Sequence, residues 1–157
     1  MNLANRLFKL AQGLVTETPG FFQVKGPGAG DLATSSFMAN LRDLASEEFG
    51  ADYAEQEISG DNRFRVDYYF PSEATIVEVA LGLPKPKTEF ELDVLKAIMA
   101  KEAGHNVKRL VFISKPGARK KCSQPGRLAI SDWLLRNHGI DTEVFEIREG
   151  PTQPGEY

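Results

Sequence analysis

The 157-residue chain has one cysteine, Cys122. A single thiol excludes an internal disulfide and a multi-cysteine zinc site, and it suits a reducing compartment. No apolar run approaches the ~18 residues of a membrane span, and the N-terminus lacks the basic-then-apolar order of a secretory signal, so a cytoplasmic protein without membrane association is expected. Internal repeats are missing. Gly26-Pro27-Gly28-Ala29-Gly30-Asp31 is rich in glycine, but no Gly-Lys-Ser/Thr follows it, so it makes a poor phosphate-cradling loop and reads as a flexible connection, placed at 20–34. The net charge of −3 argues against a protein that coats nucleic acid indiscriminately, although a local basic patch remains compatible with it. What is present is ordinary for a globular chain: 41% hydrophobic and 26% charged residues, in a length that suits one domain. That domain is expected over 1–149, with 150–157, which holds two prolines and two glycines, as a flexible tail.

Periodicity orders the rest. Leu3, Leu7, Leu10 and Leu14 recur at helical steps, predicting an N-terminal helix over 1–16 that stops near Gly13 and Pro19 and packs within the chain or on a second copy. Ser35 or Ser36 is expected to cap a second helix with the inner stripe Phe37, Leu41, Leu44 and Glu48, ending at Gly50. From Tyr53 to Leu81 the period becomes two, predicting strands around the turn Pro71-Ser72-Glu73-Ala74. Thr88 and Glu91 form a capping box for a helix through Leu92, Leu95, Ile98, Met99 and Ala103. A strand over Val107 to Ile113, a helix through Leu128, Ile130, Trp133, Leu134 and Leu135 ending at Gly139, and a strand over Thr142 to Ile147 complete the order. Trp133 is expected in the core. His105 and His138 read as helix C-terminal residues favoured by the dipole, not as metal ligands. The order predicts an α/β fold: a mixed sheet with an antiparallel meander, then parallel additions, and helices on both faces.

The hairpin carries the chemistry. If Phe70 pairs with Thr75, the register sets Asp67 opposite Glu78 and Arg65 opposite Ala80 on one face. Carboxylates ~5 Å apart repel by about 3 kcal/mol at an effective dielectric of ~20. One of them must take a proton, find a cation or bind a metal. Oxygen-only ligands suit Mg²⁺ or Mn²⁺, which would polarise a scissile phosphate and acidify an attacking water. The plain alternative is that Arg65 neutralises both acids in a surface ion-pair cluster.

Asp67 and, after ten intervening residues, Glu78 within Thr75-Ile76-Val77-Glu78-Val79-Ala80, followed by the helix of Glu89-Phe90-Glu91-Leu92-Asp93-Val94-Leu95-Lys96 and the strand Arg109-Leu110-Val111-Phe112-Ile113, resemble the PD-(D/E)XK nuclease superfamily of restriction endonucleases and junction resolvases. In element order the resemblance runs from about Phe37 to Ile147. It implies a three-layer restriction-endonuclease-like core and a metal-dependent endonuclease acting on DNA, with Mg²⁺ or Mn²⁺ on Asp67 and Glu78. Glu48 would be the acid contributed by the first helix, with Glu47 as its fallback. Two positions depart from the pattern: Val66 replaces the proline before the first acid, and Ala80 stands where the catalytic lysine is expected. Arg65 can supply a fixed cation there, though not a general base. Lys96 can reach in from the following helix, as migrated lysines do in some members, and Lys85 and Lys87 are a third source. The missing lysine also opens an alternative, a nuclease-fold protein without catalysis that binds DNA or a protein partner. Lys115, Arg119, Lys120, Lys121 and Arg127 form a basic stretch suited to phosphate contacts that position a duplex without reading its sequence. A homodimer follows from the resemblance alone.

Overall fold

A computed structural model describes residues 1–23, 29–81 and 87–149, the side chains of 29–32, 87 and 88 excepted. In chain order the elements are α1 (Leu3–Thr16), α2 (Ala29–Phe49), β1 (Ala54–Gln56), β2 (Val66–Phe70), β3 (Thr75–Ala80), α3 (Lys87–Glu102), β4 (Arg109–Ser114), α4 (Ala118–Cys122), α5 (Pro125–His138) and β5 (Asp141–Glu146). The five strands form one mixed sheet in the order β1-β2-β3-β4-β5. The first three are antiparallel neighbours, and β3, β4 and β5 run parallel.

Near its turn the hairpin has the register expected of it, with Phe70 opposite Thr75 and Tyr68 opposite Val77, but the ladder ends there, and the pairs expected of Asp67 with Glu78 and Arg65 with Ala80 are not made. Pro71–Glu73 makes a 3-10 turn that Ala74 closes at φ 49°. The Ala74 carbonyl accepts from the N–H groups of Lys108 and Arg109 at 2.8 and 3.1 Å, tying the turn to the start of β4.

Alternation along the central strands divides the core in two. Ile76 on β3 and Leu110 and Phe112 on β4 pack with Phe90, Val94 and Ala97 of α3, Ala118 of α4 and Leu134 of α5. Val77, Val111 and Ile113 pack instead with Ala4, Leu7 and Ala11 of α1 and Phe37, Leu41 and Ala45 of α2. Strand β2 breaks this rule. Val66 and Tyr69 share the α3 side although they are three residues apart, a spacing that a period of two forbids. The irregularity therefore falls beside Asp67.

Several expectations are corrected. Helix α1 runs through Gly13 to Thr16 and buries Ala4, Leu7, Ala11 and Val15, so of the leucine stripe Leu7 is fully buried while Leu3, Leu10 and Leu14 flank the contact. Helix α2 already begins at Ala29, so Ser35 and Ser36 are exposed interior residues, not caps, and the connection expected over 20–34 is helical from Ala29 on. Its buried stripe passes through Ala45 while Leu44 is exposed. The basic stretch contains the short helix α4. Trp133 is 41% exposed, lying edge-on to His138 at 5.0 Å, and is not a core residue. The tail 150–157, Lys85, the side chains of Lys87 and Thr88, and most of the Gly26–Asp31 segment lie outside the described residues.

Candidate active site

Asp67 lies where β2 and β3 part. Its Oδ2 accepts the Val79 N–H at 2.7 Å, so a side chain takes the place that a backbone carbonyl would hold in a regular ladder. Glu78, one residue earlier on β3, shares the α3 side with Ile76 and is 4% exposed. Helix α3 brings Asp93 and Lys96 to the same place, each 8% exposed, with Phe90, Val94 and Ala97 seating the helix on the sheet.

Lys96 organises the group. Its Nζ lies 3.1 Å from Glu78 Oε1 and 3.1 Å from Asp93 Oδ1, and it donates to the Arg65 carbonyl at 2.8 Å. Of these contacts the bond to the Arg65 carbonyl has hydrogen-bond geometry and the two carboxylates hold the ammonium as ion pairs, so this lysine serves as a fixed charge. Burial pulls its pKa down, but the charges of Glu78 and Asp93 outweigh burial and hold it above the ordinary lysine value. The Ser59 hydroxyl donates to the Lys96 carbonyl at 2.8 Å, fixing α3 against the segment before β2.

The acids respond in the opposite sense. Burial raises the pKa of Asp67, opposed by the Val79 N–H and by Lys96. Glu78 stands well above the usual carboxylate range, first through burial and then through the charges of Asp67 and Asp93. Asp93 is raised to about 6, again chiefly by burial, with Lys96 opposing. One ammonium thus faces three buried carboxylates, and full ionisation would leave two negative charges uncompensated. Glu78 Oε1 has an ion-pair neighbour but no hydrogen bond of good geometry among the described residues, and the Ser114 hydroxyl, on the strand position beside Ala80, is likewise buried and unpaired there.

The structure brings Asp67, Glu78 and Lys96 together and leaves the side chains of Glu47, Glu48 and Arg65 apart. Glu48 lies on the exposed side of α2, 3.8 Å from Arg6 of α1. Its neighbour Glu47 is also exposed. The Arg65 guanidinium turns away from Glu78 to Glu57 at 3.2 Å, half exposed, so the neutralising arginine bridge does not form. Asp93 is the member that sequence reasoning missed. A signal existed: Phe90, Asp93, Ala97 and Ala100 fall on one helical stripe, which marks Asp93 as a carboxylate in a buried phase.

Of the basic stretch, Arg119, Lys120 and Lys121 are exposed on α4, beyond the C-terminal end of β4. Ser114, the last residue of β4, pairs with Ala80, so Lys115 begins at the sheet end that Asp67 and Val79 also occupy. Arg127 is half-buried, its guanidinium 5.6 Å from the Phe90 ring centre. Among the described residues no three histidine, cysteine or carboxylate side chains already converge as a ligand set for a metal, and no helix is long and apolar enough to cross a membrane. The chain matches no protein-family model, no curated protein and no solved structure.

Proposed function

We propose that the chain is a metal-dependent endonuclease that hydrolyses DNA phosphodiester bonds from a restriction-endonuclease-like core. The observation that carries this reading is the placement of Lys96, 3.1 Å from Glu78 on the strand beside Asp67, in a protein whose Ala80 cannot supply that cation. The donors fit a hard divalent ion: they are all oxygen, they sit on a strand pair, and they carry more negative charge than one lysine offsets. Asp67 and Glu78 would hold Mg²⁺ or Mn²⁺, which supplies Lewis-acid activation of a phosphodiester.

The remaining roles follow from the side chains themselves. Lys96 holds the Glu78 carboxylate in place and presents positive charge to a phosphate; protonated and ion-paired, it does not act as the base. Asp93 fixes the Lys96 ammonium from the helix side. Lys115, Arg119, Lys120, Lys121 and Arg127 border the same sheet end and would contact the DNA backbone.

A second reading is favoured by the closure of the site. Glu78, Asp93 and Lys96 are each less than a tenth exposed, as expected of a nuclease-fold protein that binds DNA or a protein partner without cutting. Cleavage of plasmid DNA in Mn²⁺ separates the two readings. Activity lost in Asp67→Asn and in Lys96→Met, with the folds intact, supports the nuclease. Salt-sensitive DNA binding with no cleavage by the wild type selects the second reading.

A further inference from the structure

Asp67 also borders a groove on the other side of β2. The groove encloses about 250 Å³ between α2 and the β1–β2 pair, with Met38 and Ala39 on one wall, Ala54, Glu55 and Tyr68 on the other, and Arg42, Arg65 and Asp67 around them. That volume is below the roughly 300 Å³ at which pockets for whole small ligands begin, so it suits one unit of an extended ligand.

Two observations indicate what that unit is. Tyr68 is 2% exposed and its hydroxyl has no hydrogen-bond partner among the described residues, a buried polar group that calls for a ligand or water. Tyr68 lines the groove while its ring lies beside Phe70 in the apolar layer under α1 and α2. The two arginines are each anchored from outside. Arg42 gives Nε and Nη2 to Asp52 at 2.7–3.3 Å, and Arg65 gives Nε to Glu57 at 3.2 Å. Among the described residues Nη1 of Arg42 and both terminal nitrogens of Arg65 keep their donors, held in orientation by the anchoring carboxylates. Such planar donors suit phosphate oxygens. Glu55 and Asp67 repel an anion from the rest of the groove, which confines a phosphate to the arginine rim. Glu55 itself is held at φ 54°, an uncommon conformation for a residue with a side chain.

We propose that this groove seats the nucleotide next to the scissile bond, with its phosphate on Arg42 and Arg65 and a sugar or base oxygen on the Tyr68 hydroxyl. The inference rests on the nuclease reading and names where its substrate strand runs: over β1 and α2, as well as along the basic α4 face.

The test uses a fluorescent single-stranded oligodeoxynucleotide of about eight residues, its binding followed by anisotropy at several salt concentrations, in EDTA and in Ca²⁺. The full chain is compared with Arg42→Gln/Arg65→Gln, with Tyr68→Phe and with Asp67→Asn/Glu78→Gln. The arginine pair is expected to lose at least about tenfold in affinity and to lower the logarithmic salt slope by roughly 1.4, the value for two single-strand phosphate contacts. Tyr68→Phe should lose affinity with no change in slope. Circular dichroism on each variant confirms the fold, which the exposed arginines should not disturb. Wild-type affinity and slope in the arginine variant, or no oligonucleotide binding by the wild type, would overturn the proposal. Asp67→Asn/Glu78→Gln, which removes a repelling carboxylate from the groove, binds at least as tightly as the wild type in EDTA if the groove assignment holds, whether or not the wild type takes metal or cuts DNA.

Discussion

At the scale of single residues, the account turns on one lysine among three acids. Removing the cation from a buried ion pair typically costs 3–5 kcal/mol. Lys96→Met is expected to cost about 3 kcal/mol at pH 8 and clearly less at pH 5, where Glu78 and Asp93 can take protons instead; urea unfolding at both pH values checks this. Asp93 has a folded-state pKa of about 6 against an ordinary value of 3.8, so the folded state binds its proton more tightly. Stability linked to Asp93 is therefore full below about pH 4 and falls as pH rises towards 6, and Asp67 and Glu78, also raised, act in the same direction. Thermal melts from pH 4 to 8 should show this decline, and Asp93→Asn should flatten it. Glu78→Gln removes an acid whose charge the fold disfavours, while Lys96 keeps Asp93 and the Arg65 carbonyl as acceptors. The metal-free variant should consequently melt at or above the wild-type temperature at pH 8. A fall of several degrees would mean that Glu78 is there only to pair with Lys96.

At the scale of elements, the hairpin was legible near its turn because the four-residue connection and the alternation of Tyr68 and Phe70 leave one register, which decides the face of Glu78, whereas the break at Val66 left no sequence signal. Lys96 was legible only through its resemblance to a migrated lysine, and Asp93 needed the phase of α3 to be read as buried. The start of α2 was hidden because Ala29 and Gly30 adjoin a glycine- and proline-rich segment whose local preference is for turns. Helix α4 buries only Ala118, so five mostly basic residues carry no apolar period. Trp133 was misplaced because a residue one helical step from buried Leu134 points to the flank. Helix α2 also separates two expectations for its acid. Glu48 faces Arg6 of α1 at 3.8 Å in a half-exposed pair, a type of pair worth at most about 1 kcal/mol. Glu48→Gln should leave Mn²⁺ affinity within about twofold and the melting temperature nearly unchanged, and calorimetry on that variant decides whether α2 supplies a ligand. The junction between α1 and the hairpin is a further test of packing. Glu73 Oε2 accepts the Leu3 N–H at 2.7 Å, at the helix end where negative charge is favoured. Glu73→Ala should cost about 1 kcal/mol without altering metal affinity.

At the scale of the whole molecule, the acids of the site and the exposed bases of α4 lie apart in a chain of net charge −3. The carboxylates of the site sit under α3, while Arg119, Lys120 and Lys121 are exposed beyond the end of β4 at the same sheet end. A divalent ion is the component that would reconcile this acidic interior with a polyanionic substrate. It would also compete with protons for Asp67 and Glu78, so the rise in melting temperature with Mn²⁺ should be large at pH 8 and small at pH 5. The measurement that bears most directly on the central claim is calorimetric titration of Mn²⁺ at pH 8 into the wild type and Asp67→Asn/Glu78→Gln, with plasmid cleavage read on the same samples. The account predicts saturable binding and cleavage by the wild type, and neither by the variant. Equal heats from both proteins, or no binding by the wild type even with DNA present, would contradict it and leave Asp67, Glu78, Asp93 and Lys96 as a structural ion cluster.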